Sequence, residues 1–194
     1  RSLPHRAHRR TLPDLRAIIK NTLVILCLPH MEFLFGEDAE QYRWTYLLQQ
    51  ISSISAGTTA DHFQNLVYSK PQATAYERNA MWNRVEGLYQ PNKNWGDINH
   101  PARGAAWHAQ ASIFVSPFSE IGNSLAIPCA LQFYITHQEN PLRAMTRFEF
   151  LCEEGGKSNY TNNLNSIKSI SPLKTESLNI TIGDIKRLAF SMME

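Results

Sequence analysis

Seven histidines, His5, His8, His30, His62, His100, His108 and His137, are the side chains of this chain best suited to hold a metal or move a proton near neutral pH. None is followed by Glu. The helix-borne H-E-x-x-H, in which two His meet zinc from one face and the intervening Glu activates the bound water, is therefore missing. His5 and His8 form an H-x-x-H in an Arg-rich start, which reads as a solvated tail rather than a metal site. Cys27, Cys129 and Cys152 are odd in number, far apart and each set in an apolar run. That pattern points to reduced, buried thiols in a cytosol-like compartment, not to a disulfide framework or a nucleophile with its own His. Ser119-Glu120 lacks the flanking G-x-S-x-G of a nucleophile elbow, and no glycine-rich phosphate loop occurs. By residue chemistry alone the chain is a soluble helical domain without an assigned role.

The elements that would position any site are helical throughout. Arg1–Pro13 is basic and turn-prone, a tail. Asp14 is suited to cap a helix that runs to Leu28, where Pro29 stops it. Met31–Phe35 forms a second helix ended by Gly36, and acidic Glu37, Asp38 and Glu40 open a third over Ala39–Ser52. Gly57 separates that helix from the next, Thr59–Ser69; Pro71 ends this one, and a helix over Tyr76–Tyr89 follows Thr74. Gln90–Arg103, rich in Pro, Asn and Gly, is the clearest loop. Trp107–Pro117 is helix-poor, with a short strand or turn at Ile113–Val115. A long helix over Ile121–His137 contains Pro128, a kink position. Leu142–Glu154, closed by Gly155-Gly156, a short helix within Asn159–Ser171 and a last helix over Thr181–Met193 complete a mainly α domain over residues 14–194.

Size and composition fit that reading. A chain of 194 residues can bury one sizeable core, and 43% hydrophobic with 19% charged residues is ordinary for a globular protein. A net charge of +2 is too small to imply nucleic acid or a membrane surface as partner. No run approaches the about 18 apolar residues of a membrane helix, and the basic start has no signal-type apolar core. A cytoplasmic location is the expectation. The absence of an initiator Met suggests a fragment or processed product, and the two sequons at Asn159 and Asn179 are read as chance triplets.

Five ordered blocks carry a resemblance. LPHMEFLFGEDAEQYR (Leu28–Arg43) is similar to W-P-W-M-E-L-F-F-G-E-D-A-E-K-Y-R, DHFQNLVYSKP (Asp61–Pro71) to D-x-F-Q-H-x-V-Y-x-x-P, and ERNAMWNRVEGLYQP (Glu77–Pro91) to E-R-x-x-x-W-x-x-L-E-x-x-Y-x-P. Trp107–Gly156 resembles a frame beginning W-x-x-Q-x-H-I-F-x-x-P-F-Y-Y-I-D-Y, and Ser171–Leu178 resembles S-P-F-x-x-x-S-L. They resemble blocks of the thimet-type zinc metallopeptidases, in particular those of oligoendopeptidase F.

The resemblance implies the helical carboxy-terminal portion of a zincin-like catalytic domain whose family cleaves short peptides with zinc. It places the H-E-x-x-H upstream of residue 1, and the Glu that serves as third zinc ligand at Ala17. The family His that steadies the oxyanion falls at Ser112. The paired Tyr that bond the substrate carbonyl fall at Ser119, Glu120 and Asn123, and the His of F-Q-H falls at Asn65. Removing one oxyanion donor costs about 100- to 1000-fold in rate, so this chain alone is expected to be inactive and to bind no zinc. Asp61, Tyr68 and Gln110 are candidates for a retained cleft wall. Trp82, Tyr89, Trp107, Ile113, Phe114, Pro117, Phe118, Leu131 and Phe133 are expected to pack the core. The readings left open are an inert peptidase fragment, a non-catalytic peptide- or protein-binding relative, and an unrelated helical domain with a basic tail. Self-association, or pairing with a missing amino-terminal catalytic half, is the expected partnership.

Overall fold

The computed structural model describes residues 13–154, 160–166, 171–173 and 175–191, and among these there is no β-strand. The helices are α1 (Pro13–Cys27), α2 (Glu32–Phe35), α3 (Ala39–Ser69), α4 (Ala75–Tyr89), α5 (Ala111–Val115), α6 (Glu120–Glu139), α7 (Pro141–Glu154), α8 (Tyr160–Ser166) and α9 (Thr175–Ser191). Short 3-10 turns lie at Leu28–His30, Gly36–Asp38 and Ala106–Ala109, and a π-turn lies at Pro101–Ala105. The tail with His5 and His8, and the Gly155-Gly156 turn, lie outside the described residues. The chain divides into two compact units, Arg1–Leu47 with Leu125–Glu194 and Leu48–Ser124.

The first unit is built by apolar positions at helical spacing. Leu15, Ile18 and Leu26 of α1, Ala126, Cys129 and Phe133 of α6, Ala144, Phe148 and Leu151 of α7, and Leu164 of α8 form one buried cluster. α7 starts on a local signal, since the Asn140 side-chain oxygen accepts the Arg143 N–H at 2.9 Å. Its Ala144, Phe148 and Leu151 then recur at i, i+4 and i+7. α6 runs unbroken through Pro128. Ala126 to Leu131, Pro128 included, are all buried and together with Phe133 supply enough buried surface to offset the lost backbone bond. Of the three thiols only Cys129 is buried; Cys27 and Cys152 are exposed. The expectation of three buried thiols fails because an apolar neighbourhood in sequence does not say which helix face a residue occupies.

The second unit centres on aromatic rings. Phe63 of α3 meets Trp82 of α4 edge-on at 5.2 Å and Trp107 at 5.2 Å, and the three are buried together. α4 begins in a capping box: the Glu77 N–H donates to the Thr74 hydroxyl, and the Glu77 carboxylate accepts the Thr74 N–H at 2.8 Å. The loop after α4 is tied back to it through buried Glu86, which accepts from Lys93 Nζ at 3.0 Å and from the Trp95 indole N–H at 2.9 Å.

Two expected breaks are corrected here. α3 is continuous over 31 residues, so Gly57 does not divide it. A Cβ at Gly57 would stand 2.0 Å from Ser124 Oγ and 3.1 Å from the Glu120 carbonyl, so the glycine serves the close passage of α6. Ile113–Val115 lies in α5, a single helical turn rather than a strand. The last helix also starts earlier than expected, at Thr175.

Candidate functional site

The site builds up from Gln64 on α3. This side chain is 2% exposed. Its Nε2 donates to the Ile113 carbonyl at 3.3 Å, and its Oε1 accepts the Phe118 N–H at 3.1 Å. One buried amide thus satisfies two backbone groups at opposite ends of the Ile113–Phe118 segment, the segment flanked by Ser112 and Ser119. Phe118 is the one non-glycine residue with positive φ, at 60°, among the described residues. That conformation is uncommon for an aromatic side chain and is held here by the Gln64 bond.

Beneath the clasp lies a cavity of about 310 Å³, lined by Phe63, Gln64, Val67, Tyr68, Arg78, Trp107, Ile113, Phe114 and Pro117. Its walls are mainly apolar and aromatic. Arg78 adds a half-buried cation, whose guanidinium donates to the Pro71 carbonyl at 3.2 Å. Trp107 is fixed by its indole N–H, which donates to Asn79 Oδ1 at 3.0 Å. Tyr68 and Phe118 pack with tilted rings at 5.1 Å, and Trp107 and Phe114 stack at 5.6 Å. Such walls suit an apolar or aromatic side chain and offer no nucleophile.

Of the cleft candidates, Tyr68 lines the cavity and is 60% exposed. Asp61 is half-buried one turn earlier on the same helix as Asn65, whose Nδ2 donates to Asp61 Oδ2 at 3.1 Å. Gln110 precedes α5; its N–H donates to the Trp107 carbonyl at 3.1 Å and its own carbonyl accepts from Ile113 at 3.2 Å. Neither Asp61 nor Gln110 lines the cavity. Ser112 sits on α5, where its carbonyl accepts the Ser116 N–H at 2.9 Å. Ser119 is exposed, and Glu120 and Asn123 stand half-buried in the first turn of α6. Phe114 at 57% and Phe118 at 38% exposure are wall and rim, not the core residues expected; Pro117 is exposed as well. They lie on a single-turn helix and the turn that follows it, where too little chain exists to cover them.

Among the described residues no group of three or more His, Cys, Asp or Glu side chains is arranged to hold a metal. Ala17, where the sequence resemblance puts the third ligand, packs its methyl group against the first unit's core. Gln64 is the residue that sequence reasoning passed over. Its only signal was the F-Q pair in the Asp61–Pro71 block, and the partners of a buried amide are backbone groups that no motif records.

Comparison with known proteins gives a consistent result. No family model matches the chain, and no curated protein matches it significantly. Solved structures do. PZ peptidase A, determined with an inhibitor, superposes over 93% of this chain with a TM-score of 0.89 and 29% identity. A structure described as an oligoendopeptidase F covers 90% with a TM-score of 0.86 and 32% identity. Another, from Bacillus anthracis, covers 92% with a TM-score of 0.77 and 25% identity. This chain spans about a third of the length of each of them, 32%, 31% and 28% respectively. In sequence blocks and in three dimensions, the chain resembles the helical carboxy-terminal part of an oligoendopeptidase F-type, thimet-type metallopeptidase.

Proposed function

We propose that this chain is a partial or degenerate oligoendopeptidase F-type catalytic domain that keeps a peptide-side-chain cavity and does not hydrolyse peptides by itself. The observation that carries this is the Gln64 clasp. Gln64 holds the Ile113–Phe118 segment in place, while the sequence resemblance puts Ser112, Ser119, Glu120 and Asn123 at the family's reactive positions. Ser and Asn can donate hydrogen bonds but do not supply imidazole's titratable charge or the reach of Tyr. The 194 residues contain no H-E-x-x-H, so a zinc-bound water would need ligands from elsewhere. The second reading, a non-catalytic peptide- or protein-binding helical domain, draws on the same cavity. A reducing, cytoplasmic setting suits a chain whose three cysteines are thiols, and among the described residues no single helix is long and apolar enough to cross a membrane.

Two measurements on the purified chain test this. A quenched fluorescent peptide should stay intact with added zinc, and a labelled peptide carrying Phe or Leu should bind weakly, with binding reduced several-fold by Phe114→Ala. Hydrolysis that a chelator abolishes would overturn the inactivity. Peptide binding unchanged by Phe114→Ala would remove the cavity from the function.

A further inference from the structure

Among the side chains that line the cavity beside the Gln64 clasp, only Arg78 carries a charge. Gln64 spends both ends of its amide on the Ile113 carbonyl and the Phe118 N–H, and the Trp107 indole N–H is given to Asn79. The side-chain polar groups left for a ligand are the Tyr68 hydroxyl and the Arg78 guanidinium.

That guanidinium is under-used. Its Nη2 donates to the Pro71 carbonyl at 3.2 Å, and its Nε is buried without a hydrogen-bond partner. No carboxylate among the described residues pairs with it. The neighbouring Glu77 carboxylate is already taken by Lys70 and Thr74. Helix formation gives no reason for a cation here either. Arg78 is the fourth residue of α4, near the end where the macrodipole is positive and favours anions. A half-buried cation against apolar walls costs free energy unless an anion or several acceptors meet it. The N–H groups left on Nη1 and Nη2 make charge-assisted bonds to a carboxylate, stronger than those to a neutral amide.

We infer that Arg78 sets the specificity of the cavity by pairing with a carboxylate that accompanies the apolar side chain filling it. This rests on the cavity being a peptide-side-chain site. At about 310 Å³ the space lies at the lower end of the range for ligand pockets, about 300–1,000 Å³, so it takes one residue and its immediate neighbours. The carboxylate must therefore lie close to the anchoring side chain. Two sources meet that condition: the free α-carboxylate of a peptide that ends in an aromatic or aliphatic residue, and an Asp or Glu next to such a residue.

Fluorescence anisotropy of three dansyl-labelled peptides on the full chain tests this: Ala-Ala-Phe with a free carboxylate, the same peptide as its amide, and Ala-Glu-Phe amide. At least one of the two acidic peptides should bind about threefold or more tighter than the neutral amide, an advantage that shrinks as salt is raised from about 0.01 M to about 1 M. Whichever acidic peptide gains identifies the source of the carboxylate. Arg78→Gln, which keeps a donor for the Pro71 carbonyl and removes the charge, should cancel the advantage and leave the amide's affinity unchanged. Arg84→Gln removes the same charge from an exposed position of α4 outside the cavity and should preserve the advantage. Equal binding of the three peptides, an advantage that survives Arg78→Gln, or one that Arg84→Gln cancels overturns the inference. If Phe114→Ala still weakens all three peptides in that event, the peptide cavity stands and only the role of Arg78 falls. Should Arg78→Gln not fold, the natural chain and Arg84→Gln decide: no advantage, or one lost with Arg84, overturns the inference.

Discussion

Glu77 shows how far one surface side chain can set the behaviour of a helix start. Its carboxylate accepts from Lys70 Nζ at 2.7 Å and from both the backbone and the hydroxyl of Thr74. The Lys70 bond first, then the two Thr74 bonds, pull its pKa from 4.5 to about 2. The folded state thus favours the ionised form more than the unfolded chain does. The stabilisation is complete above about pH 4.5 and is lost as pH falls towards 2. Thermal melts between pH 6 and pH 2 should therefore show a steeper acid decline for the natural chain than for Glu77→Gln. Parallel declines would mean that the box contributes nothing in solution, as solvent-exposed pairs sometimes do.

Among the elements, two glycines look alike in the sequence and differ in what holds them. Gly57→Ala pushes a methyl group at the Ser124 hydroxyl, a movable atom whose Oγ has no hydrogen-bond partner. Overpacking of this kind costs about 1–3 kcal/mol, offset by about 1 kcal/mol of improved helix propensity. Gly104→Ala pushes against the fixed Asn79 carbonyl and must also adopt a φ of 83°. Denaturant unfolding should show Gly104→Ala as the more damaging change, by about 2 kcal/mol or more. Ser124→Ala should rescue Gly57→Ala, and no such partner exists for Gly104→Ala; equal losses at the two glycines would contradict this assignment. The same contrast explains what was legible in the sequence. Helix type and most boundaries follow from apolar spacing and caps, as at Thr74 and Asn140. Gly57 misleads because a helix-breaking residue and a helix-crossing residue are the same residue until the neighbour is known. The α5 turn misleads similarly, since five residues are too few for a period. The frame of the site was readable from the ordered blocks, whereas the Gln64 clasp depends on backbone partners 49 and 54 residues away.

For the whole molecule, the question is what covers the surface that the chain leaves open. Among the described residues the most exposed large apolar side chain is Phe33, at 89%, with Leu34 beside it at 74% on α2. Phe35 at 40% stacks on Tyr42 at 4.1 Å and is already engaged. A four-residue helix cannot bury such a pair by itself, and contiguous exposed apolar residues favour association. A second copy of the chain is the occupant available in a purified sample. Sedimentation velocity across a hundredfold concentration range should show the weight-average mass rising above that of the 22.2 kDa monomer. Phe33→Ser with Leu34→Ser should return it towards the monomer without lowering stability, because neither side chain packs in a core. A natural chain that stays monomeric throughout, or a double variant that associates equally, would place the association surface elsewhere or remove it.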